Sequence, residues 1–185
     1  MPAPPDLADL SFAEIDALVA AAKPAPVERW HPSHCGDSEM RIARDGTWYH
    51  QGSPIGRAAM VAKFASILRR EPDGGYVLVT PGEKLDIAVD DAPFVATALK
   101  TDGEGRTSRL AFQLNTGDIV VAGPSHHLRF DEAEDGPRPY LHVRAGLEAL
   151  IARPVYYELA ARADTEAAGA LGVWSDGMFF AMAAA

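Results

Sequence analysis

Two kinds of hydrophobic spacing alternate along this 185-residue chain, one typical of helices and one typical of strands. Near the start, Ile15 and Leu18 lie on one face at helical intervals and predict a short amphipathic helix. Ser11 and Glu14 have the spacing of a capping box at its amino end, and Pro24 predicts that the helix stops just before it. We assign this helix a docking role and no chemistry.

Further along, apolar and polar residues alternate on both sides of Asp45-Gly46, which predicts a hairpin over residues 40–50. Ser53-Pro54 then has the form of an N-cap followed by proline in the first helical turn, so we predict a helix from there to about Arg70. The apolar residues 76–79 predict a strand.

The next turn, Pro81-Gly82, is the predicted boundary between two small domains. Residues 1–81 are expected to form an α+β domain. Residues 82–185 contain short apolar segments separated by turn residues, which is typical of an antiparallel, strongly curved sheet, followed by a helix over 154–163. The fold class is therefore predicted to be α+β.

An internal repeat supports this division. An offset of 100 residues aligns Arg44 with Arg144 and Gly46 with Gly146, and both copies run through a hairpin, a helix and a strand containing aromatic residues. The repeat places residues 147–151 opposite the second strand of the first hairpin, so we predict a strand there in spite of their helical propensity.

Charge limits the classes of partner. Lys and Arg number 17 and Asp and Glu number 26, which gives a net charge of −9 and argues against binding to a nucleic-acid polymer or to an anionic membrane. The single cysteine, Cys35, cannot form an intrachain disulfide, and the first ten residues lack the pattern of a signal peptide. These features favour a cytoplasmic protein.

A basic segment interrupts the acidic chain, because residues 40–70 hold six Lys or Arg and one acidic residue. Within it, Gly52, Ser53 and Arg57 surround the predicted helix start, where N–H groups and a guanidinium favour a phosphate or another small anion. The alternative is a solvated helix face, with Arg57 in a salt bridge across the domain boundary.

Arg44 and Arg144 are the second candidate pair, because two arginines related by the repeat could clamp one anion between the halves. Trp48 offers a ring face to such a ligand, although a tryptophan in a hairpin more often lies in the core. The alternative for Arg44 is a salt bridge with a nearby aspartate such as Asp45 or Asp118.

Catalytic and metal chemistry have weaker signals. His31, His34 and Cys35 lie together, but their spacing matches no structural zinc pattern, and we expect no metal or cofactor. An enzyme that uses Cys35 or Asp37 in the same cleft is the alternative to a binding protein. A protein-interaction module built on the C-terminal sheet is a third reading.

Three long segments resemble one protein family. They are MRIARDGTWYHQGSPIGR at 40–57, LVTPGEKLDIAVDDAPF at 78–94 and RPYLHVRAGLEALIARPVYYEL at 138–159. They are similar to the bacterial domain-of-unknown-function family 1285. The resemblance implies a duplicated core, a C-terminal part like a pleckstrin-homology fold, and a cleft between the parts for a nucleotide-like ligand. It implies a role in signal transduction, with a signalling protein as partner, and brings no catalytic activity.

Together these observations predict a non-enzymatic regulatory protein that binds a small anionic, nucleotide-like ligand between its two halves. The residues predicted to hold the ligand are Arg44, Trp48, Gly52, Ser53, Arg57 and Arg144.

Overall fold

The computed structural model describes residues 5–134, 136–165 and 169–182. Within those residues the chain forms two six-stranded sheets, one three-stranded sheet and three α-helices. Helix α1 (Phe12–Ala21) begins with the predicted capping box: the Ser11 hydroxyl accepts the Glu14 N–H, and the Glu14 carboxylate accepts the Ser11 N–H at 2.7 Å. Ile15 anchors α1 and is completely buried.

The first sheet contains six strands in the order β3-β2-β1-β6-β5-β4. Helix α2 (Ala58–Ser66) lies between β3 and β4 in the chain. The predicted hairpin is present as β1 and β2, which pair antiparallel, whereas β1 and β6 pair in parallel. The strand bounds are β1 His34–Ile42, β2 Trp48–His50, β3 Ser53–Pro54, β4 Leu68–Arg70, β5 Tyr76–Val79 and β6 Glu83–Val89.

The second sheet has the order β10-β11-β12-β7-β8-β9 and is antiparallel except for one parallel pair, β12 and β7. Its strands are β7 Phe94–Asp102, β8 Arg109–Leu114, β9 Ile119–Val121, β10 Leu128–Asp131, β11 Arg138–Arg144 and β12 Leu147–Ile151. Helix α3 (Arg153–Ala160) follows, and then the small sheet of β13 Asp164–Thr165, β14 Leu171–Ser175 and β15 Met178–Ala181. The strand predicted at 147–151 and the helix after it are confirmed.

The two large sheets share one topology. In each, three consecutive strands form an antiparallel meander, the next three form another, and the first and sixth strands pair in parallel at the centre. The first strands begin at His34 and Phe94, so the topological repeat has a spacing of 60 residues. The order hairpin, helix, strand also occurs twice, but the 100-residue offset is not the spacing at which the sheets repeat. Arg44 and Arg144 are therefore not equivalent positions in the duplicated sheets.

The predicted helix start at Ser53-Pro54 is wrong. These two residues form β3, which pairs with β2, and α2 begins at Ala58 with Arg57 as its N-cap residue. Gln51 and Gly52 both have positive φ, 49° and 77°, which is the signature of a type I′ hairpin turn. This turn sends the chain back along β2, and the extended conformation needed for that pairing excludes a helix at Pro54.

The first sheet also extends beyond the predicted boundary. Strand β6 pairs with both β1 and β5, so Pro81-Gly82 is a turn within the first sheet, and the chain passes to the second sheet over residues 90–93. A pleckstrin-homology likeness of the C-terminal part stays a prediction.

One hydrophobic core joins the two sheets. It contains buried residues of the first sheet, such as Ile42 and Leu68, and of the second, such as Phe94 and Phe112. Polar contacts between side chains and carbonyl oxygens border this core. Asn115 Nδ2 donates to the Gly46 oxygen, Arg70 Nη1 to the Gly146 oxygen, and Arg144 Nη2 to the Ala65 oxygen, at 3.2, 3.1 and 2.7 Å. We call these three contacts the packed seam.

Candidate functional site

A cleft of about 450 Å³ opens where the loop after β6 meets the second sheet and α3. The N-terminal part contributes Arg44, which follows β1, and Asp91, which follows β6. The second sheet and α3 contribute apolar side chains, two tyrosines and two further arginines. We call it the arginine cleft; its charged and aromatic lining is Arg44, Asp91, Arg138, Arg153, Tyr156 and Tyr157.

The secondary structure explains how the arginines reach one place. Arg44 follows the first strand of a hairpin, Arg138 begins β11 and Arg153 begins α3. Arg138 and Arg153 each precede a proline. A residue before proline favours extended backbone, as at Arg138 in β11, and proline is tolerated in the first turn of a helix, as after Arg153 in α3. Each arginine therefore comes from an element end, where a long side chain can reach a cleft between the halves.

The charge of the cleft is opposite to that of the chain. Among the described residues, three arginines and one carboxylate line it, whereas the whole protein carries a net charge of −9. Guanidinium groups recognise phosphate and carboxylate oxygens through paired N–H donors. The N-cap of α3 is Ala152, which has no side-chain acceptor, so the positive end of this helix adds to the same potential. The cleft is suited to an anion.

Asp91 forms the acidic wall. Its Oδ1 accepts a hydrogen bond from the Tyr140 hydroxyl at 2.8 Å, and its Oδ2 lies 3.3 Å from Arg44 Nε. Burial, with the hydrogen bond to Asp91, raises the pKa of Tyr140 to about 12, so this phenol is a hydrogen-bond donor throughout the neutral range. The Arg44 side chain remains 55% exposed and faces the solvent of the cleft.

Of the residues predicted from the sequence, Arg44 lies in the cleft. Gly52 lies in the turn before β3, Ser53 on β3 and Arg57 at the start of α2. All three are exposed and lie outside the cleft lining in the described part of the chain. Trp48 is 1% exposed and stacks on Phe64 with ring centroids 6.3 Å apart, so the core interpretation of this tryptophan is confirmed.

Arg144 does not form the predicted clamp with Arg44. Its guanidinium donates to the Ala65 carbonyl at the C-terminal end of α2 and lies 5.5 Å from the Phe94 ring centre. Desolvation lowers the pKa of Arg144, and these two contacts stabilise the half-buried charge. Arg144 therefore belongs to the packed seam, while Arg44 lies at the open cleft.

Most of the basic segment at 40–70 makes structural contacts. Arg41 pairs with Asp90 at 2.5 Å. Arg69 is buried and bonds Glu71 and two carbonyl oxygens, and Arg70 bonds Gly146. The solvated-face alternative describes Arg57 and Lys63, which are exposed.

The residues considered for catalysis lie elsewhere. Cys35 and Asp37 are part of β1, which begins before the hairpin predicted over residues 40–50, and neither belongs to the cleft lining. Cys35 is exposed and lies opposite Lys84 in the strand pairing, and Asp37 accepts the Glu39 N–H at 2.7 Å. Among the described residues, no group of three or more His, Cys, Asp or Glu side chains could hold a metal ion.

Sequence reasoning missed Arg138, Arg153 and Asp91. The signal that could have pointed to the two arginines is the Arg-Pro dipeptide, which occurs twice and opens an element each time. Asp91 has no such signal, because Asp90 and Asp91 are alike in sequence and only the turn after β6 sends one outward and the other inward.

None of the helices in ranges 5–134, 136–165 and 169–182 has the length and apolar content needed to cross a membrane.

Comparison with known proteins identifies a family that matches most of the chain. Residues 25–92 match the family described as "Domain of unknown function (DUF1285), N-terminal domain", and residues 93–182 match "Protein of unknown function (DUF1285), C-terminal domain". No curated protein matches.

Two crystal structures are similar. A DUF1285 family protein from Silicibacter pomeroyi DSS-3 is 49% identical, with a TM-score of 0.81 and 92% of each chain covered. A DUF1285 family protein from Shewanella baltica OS155 is 25% identical, with a TM-score of 0.53 over 66% of this chain and 91% of its own.

Proposed function

Because the chain belongs to the DUF1285 family, whose description names no activity, we propose its function from the arginine cleft. The protein is a non-enzymatic regulatory protein that binds a small anionic ligand there. The observation that carries this proposal is the meeting of three arginines from distant parts of an acidic chain on one cavity.

The dimensions and walls of the cleft support a ligand with a ring as well as an anionic group. A volume of about 450 Å³ lies in the range of small-molecule sites. Tyr157 is 60% exposed at its edge, and the neighbouring Tyr156 ring also lines it. Aromatic and apolar walls beside arginines suit a nucleotide, which is the ligand class that the family resemblance implies.

A regulatory role follows from where the ligand would bind. Arg44 and Asp91 come from the N-terminal part, whereas Arg138 and Arg153 come from the C-terminal part. An anion bound by residues of both parts would stabilise the contact between the two parts. A signalling partner protein could recognise that change. We place the protein in the cytoplasm, where nucleotides are abundant and the exposed Cys35 stays reduced.

Isothermal titration calorimetry, which measures the affinity for adenosine 5′-monophosphate and for pyrophosphate, tests the proposal. We expect binding to the wild-type protein and a loss of about tenfold or more in Arg44→Gln, because a charge-assisted hydrogen bond contributes about 1.5–3 kcal/mol. Arg57→Gln is the matched control, since Arg57 is exposed and lies outside the cleft lining. Equal affinity in Arg44→Gln and the wild type, or a loss confined to Arg57→Gln, would contradict the proposal.

A further inference from the structure

Asp91 is an unusual residue for the wall of an anion site. Its side chain is 11% exposed, and a buried carboxylate repels the anions that the surrounding arginines attract. A site built only for charge would contain a neutral residue at this position. The presence of the carboxylate needs a separate physical reason.

The two oxygens of Asp91 differ in their partners. Oδ1 accepts the Tyr140 hydroxyl, whereas Oδ2 is buried and accepts no hydrogen bond from any described residue. Arg44 Nε lies 3.3 Å from Oδ2, but this contact is an ion pair without hydrogen-bond geometry. A buried carboxylate oxygen with an open lone pair is rare in folded proteins, because each missing hydrogen bond lowers stability.

The surroundings of Oδ2 fix its position, and a ligand donor reaches it when the half-exposed Arg44 side chain, 3.3 Å away, turns aside. The Tyr140 hydroxyl fixes the carboxylate from one side, and the Arg129 guanidinium lies 4.3 Å from the Tyr140 ring centre and holds that ring. Arg129 is itself held by Glu148 at 2.8 Å. The orientation of Asp91 is thus set by groups behind the cleft wall and does not depend on a ligand.

We propose that Asp91 Oδ2 accepts a hydrogen bond from the ligand, and that the cleft therefore selects anions that carry an O–H or N–H donor beside their charged group. This inference rests on the proposed function and narrows its ligand class. Arg44, Arg138 and Arg153 attract any small anion, while Asp91 disfavours those that offer it no donor. Specificity then comes from the Asp91 carboxylate, which repels anions without a donor and accepts a hydrogen bond from anions that carry one.

The test compares two classes of probe on three proteins. Pyrophosphate, at an alkaline pH where it has lost its last proton, supplies charge without an O–H or N–H donor. Adenosine 5′-monophosphate at the same pH supplies charge together with hydroxyl and amine donors. Asp91→Asn keeps the shape and an acceptor for Tyr140, but presents an N–H₂ group to a ligand donor. Asp90→Asn is the matched control, because Asp90 is adjacent in sequence, pairs with Arg41 and lies outside the cleft lining.

We expect wild type and Asp90→Asn to prefer adenosine 5′-monophosphate to pyrophosphate, and Asp91→Asn to lose that preference by about tenfold or more. Pyrophosphate should bind Asp91→Asn more tightly than wild type, because the repulsive charge is gone. A purely structural role for Asp91 would weaken both probes alike, so equal losses overturn the inference. Thermal melting of each variant verifies that it is folded.

Two further probes locate the donor. Ribose 5-phosphate carries the sugar hydroxyls without the base, and 2′,3′-dideoxyadenosine 5′-monophosphate carries the base without those hydroxyls. The probe whose affinity falls in Asp91→Asn contains the donor, and a fall for neither overturns the inference. If no anion binds the wild type, the proposed function itself fails. Only the role of Asp91 fails if pyrophosphate binds and loses affinity in Arg44→Gln, while Asp91→Asn still prefers adenosine 5′-monophosphate to pyrophosphate.

Discussion

The two halves of this protein meet in two chemically different places, the packed seam and the arginine cleft. In the packed seam, side-chain donors end on backbone carbonyl oxygens, and Arg144 lies against the buried ring of Phe94. In the arginine cleft, which has a volume of about 450 Å³, the Arg44 side chain is more than half exposed and lies 3.3 Å from Asp91. The same residue type therefore stabilises the fold in one place and is open to solvent in the other.

An arginine in a basic segment therefore takes its role from its surroundings in the folded protein. A guanidinium surrounded by protein acceptors contributes to folding, since its donors are satisfied when the chain is native. A guanidinium on a cavity wall keeps donors for a ligand. Substitutions in the core and the packed seam are expected to lower stability more than substitutions in the arginine cleft.

Replacing Trp48 should cause the largest loss of stability, because this ring lies in the core that joins the sheets. Trp48→Ala is expected to lower the free energy of unfolding by about 3–5 kcal/mol. Denaturant unfolding measures the change, and Trp48→Phe should recover part of it by keeping the stack on Phe64. A stable Trp48→Ala protein with impaired anion binding would instead return Trp48 to the ligand site.

A substitution at Gly46 tests the close approach of Asn115 to the backbone in the packed seam. Its φ is +84°, and an added Cβ would lie 2.5 Å from Asn115 Nδ2. Gly46→Ala is expected to lose about 2–3 kcal/mol of stability, from backbone strain and from displacement of Asn115. Gly52 is the matched control: its φ is +77°, with nothing within 4 Å of an added Cβ. Gly52→Ala should lose about 1 kcal/mol, and equal losses at the two sites would show that the seam contact contributes nothing.

Arg144 and Arg44 give the most direct contrast between the regions. Arg144→Met should lower stability by about 1–3 kcal/mol, because the Ala65 carbonyl loses its donor and Phe94 its cation. Arg44→Met should change stability by about 0.5 kcal/mol or less, since an exposed ion pair contributes little. Thermal and denaturant unfolding of the two variants check the order, and a reversed order would contradict our assignment of the regions.

The last effect appears only at alkaline pH and concerns the wall of the arginine cleft. The pKa of Tyr140 is raised to about 12, whereas an unfolded tyrosine has a pKa of about 10. Folding therefore favours the protonated phenol, whose stabilisation is complete below about pH 10 and is lost as pH rises toward 12. Tyr140→Phe should show a shallower loss of stability over this interval, and Tyr157→Phe, at an exposed tyrosine, should behave like wild type. Identical curves for Tyr140→Phe and wild type would contradict the Asp91–Tyr140 contact.

Local signals in the sequence predict much of the fold. The Ser11–Glu14 capping box places α1 correctly. The strand predicted at 147–151 is present, although the 100-residue offset that led to this prediction is not the spacing at which the sheets repeat. The helix start at Ser53 was wrong, because a two-residue turn at Gln51-Gly52 and pairing with β2 outweigh the N-cap signal. Periodicity could not show the 60-residue repeat of the sheets, because topology can repeat without aligned residues.

The candidate site is less predictable for a physical reason. Arg44 and Arg153 are separated by more than half the chain and come together through the shared packing of two sheets. Nothing local distinguishes Arg44 at the cleft from Arg144 in the seam, since solvent exposure decides their roles and exposure is a property of the folded molecule.

A crystal structure of the protein with bound pyrophosphate would show directly whether the arginine cleft binds an anion. We predict that the anion lies in the arginine cleft, within hydrogen-bond distance of guanidinium groups from both halves, with Arg144 still bonded to Ala65. An anion bound instead beside Ser53 and Arg57, or between Arg144 and α2, would contradict the account.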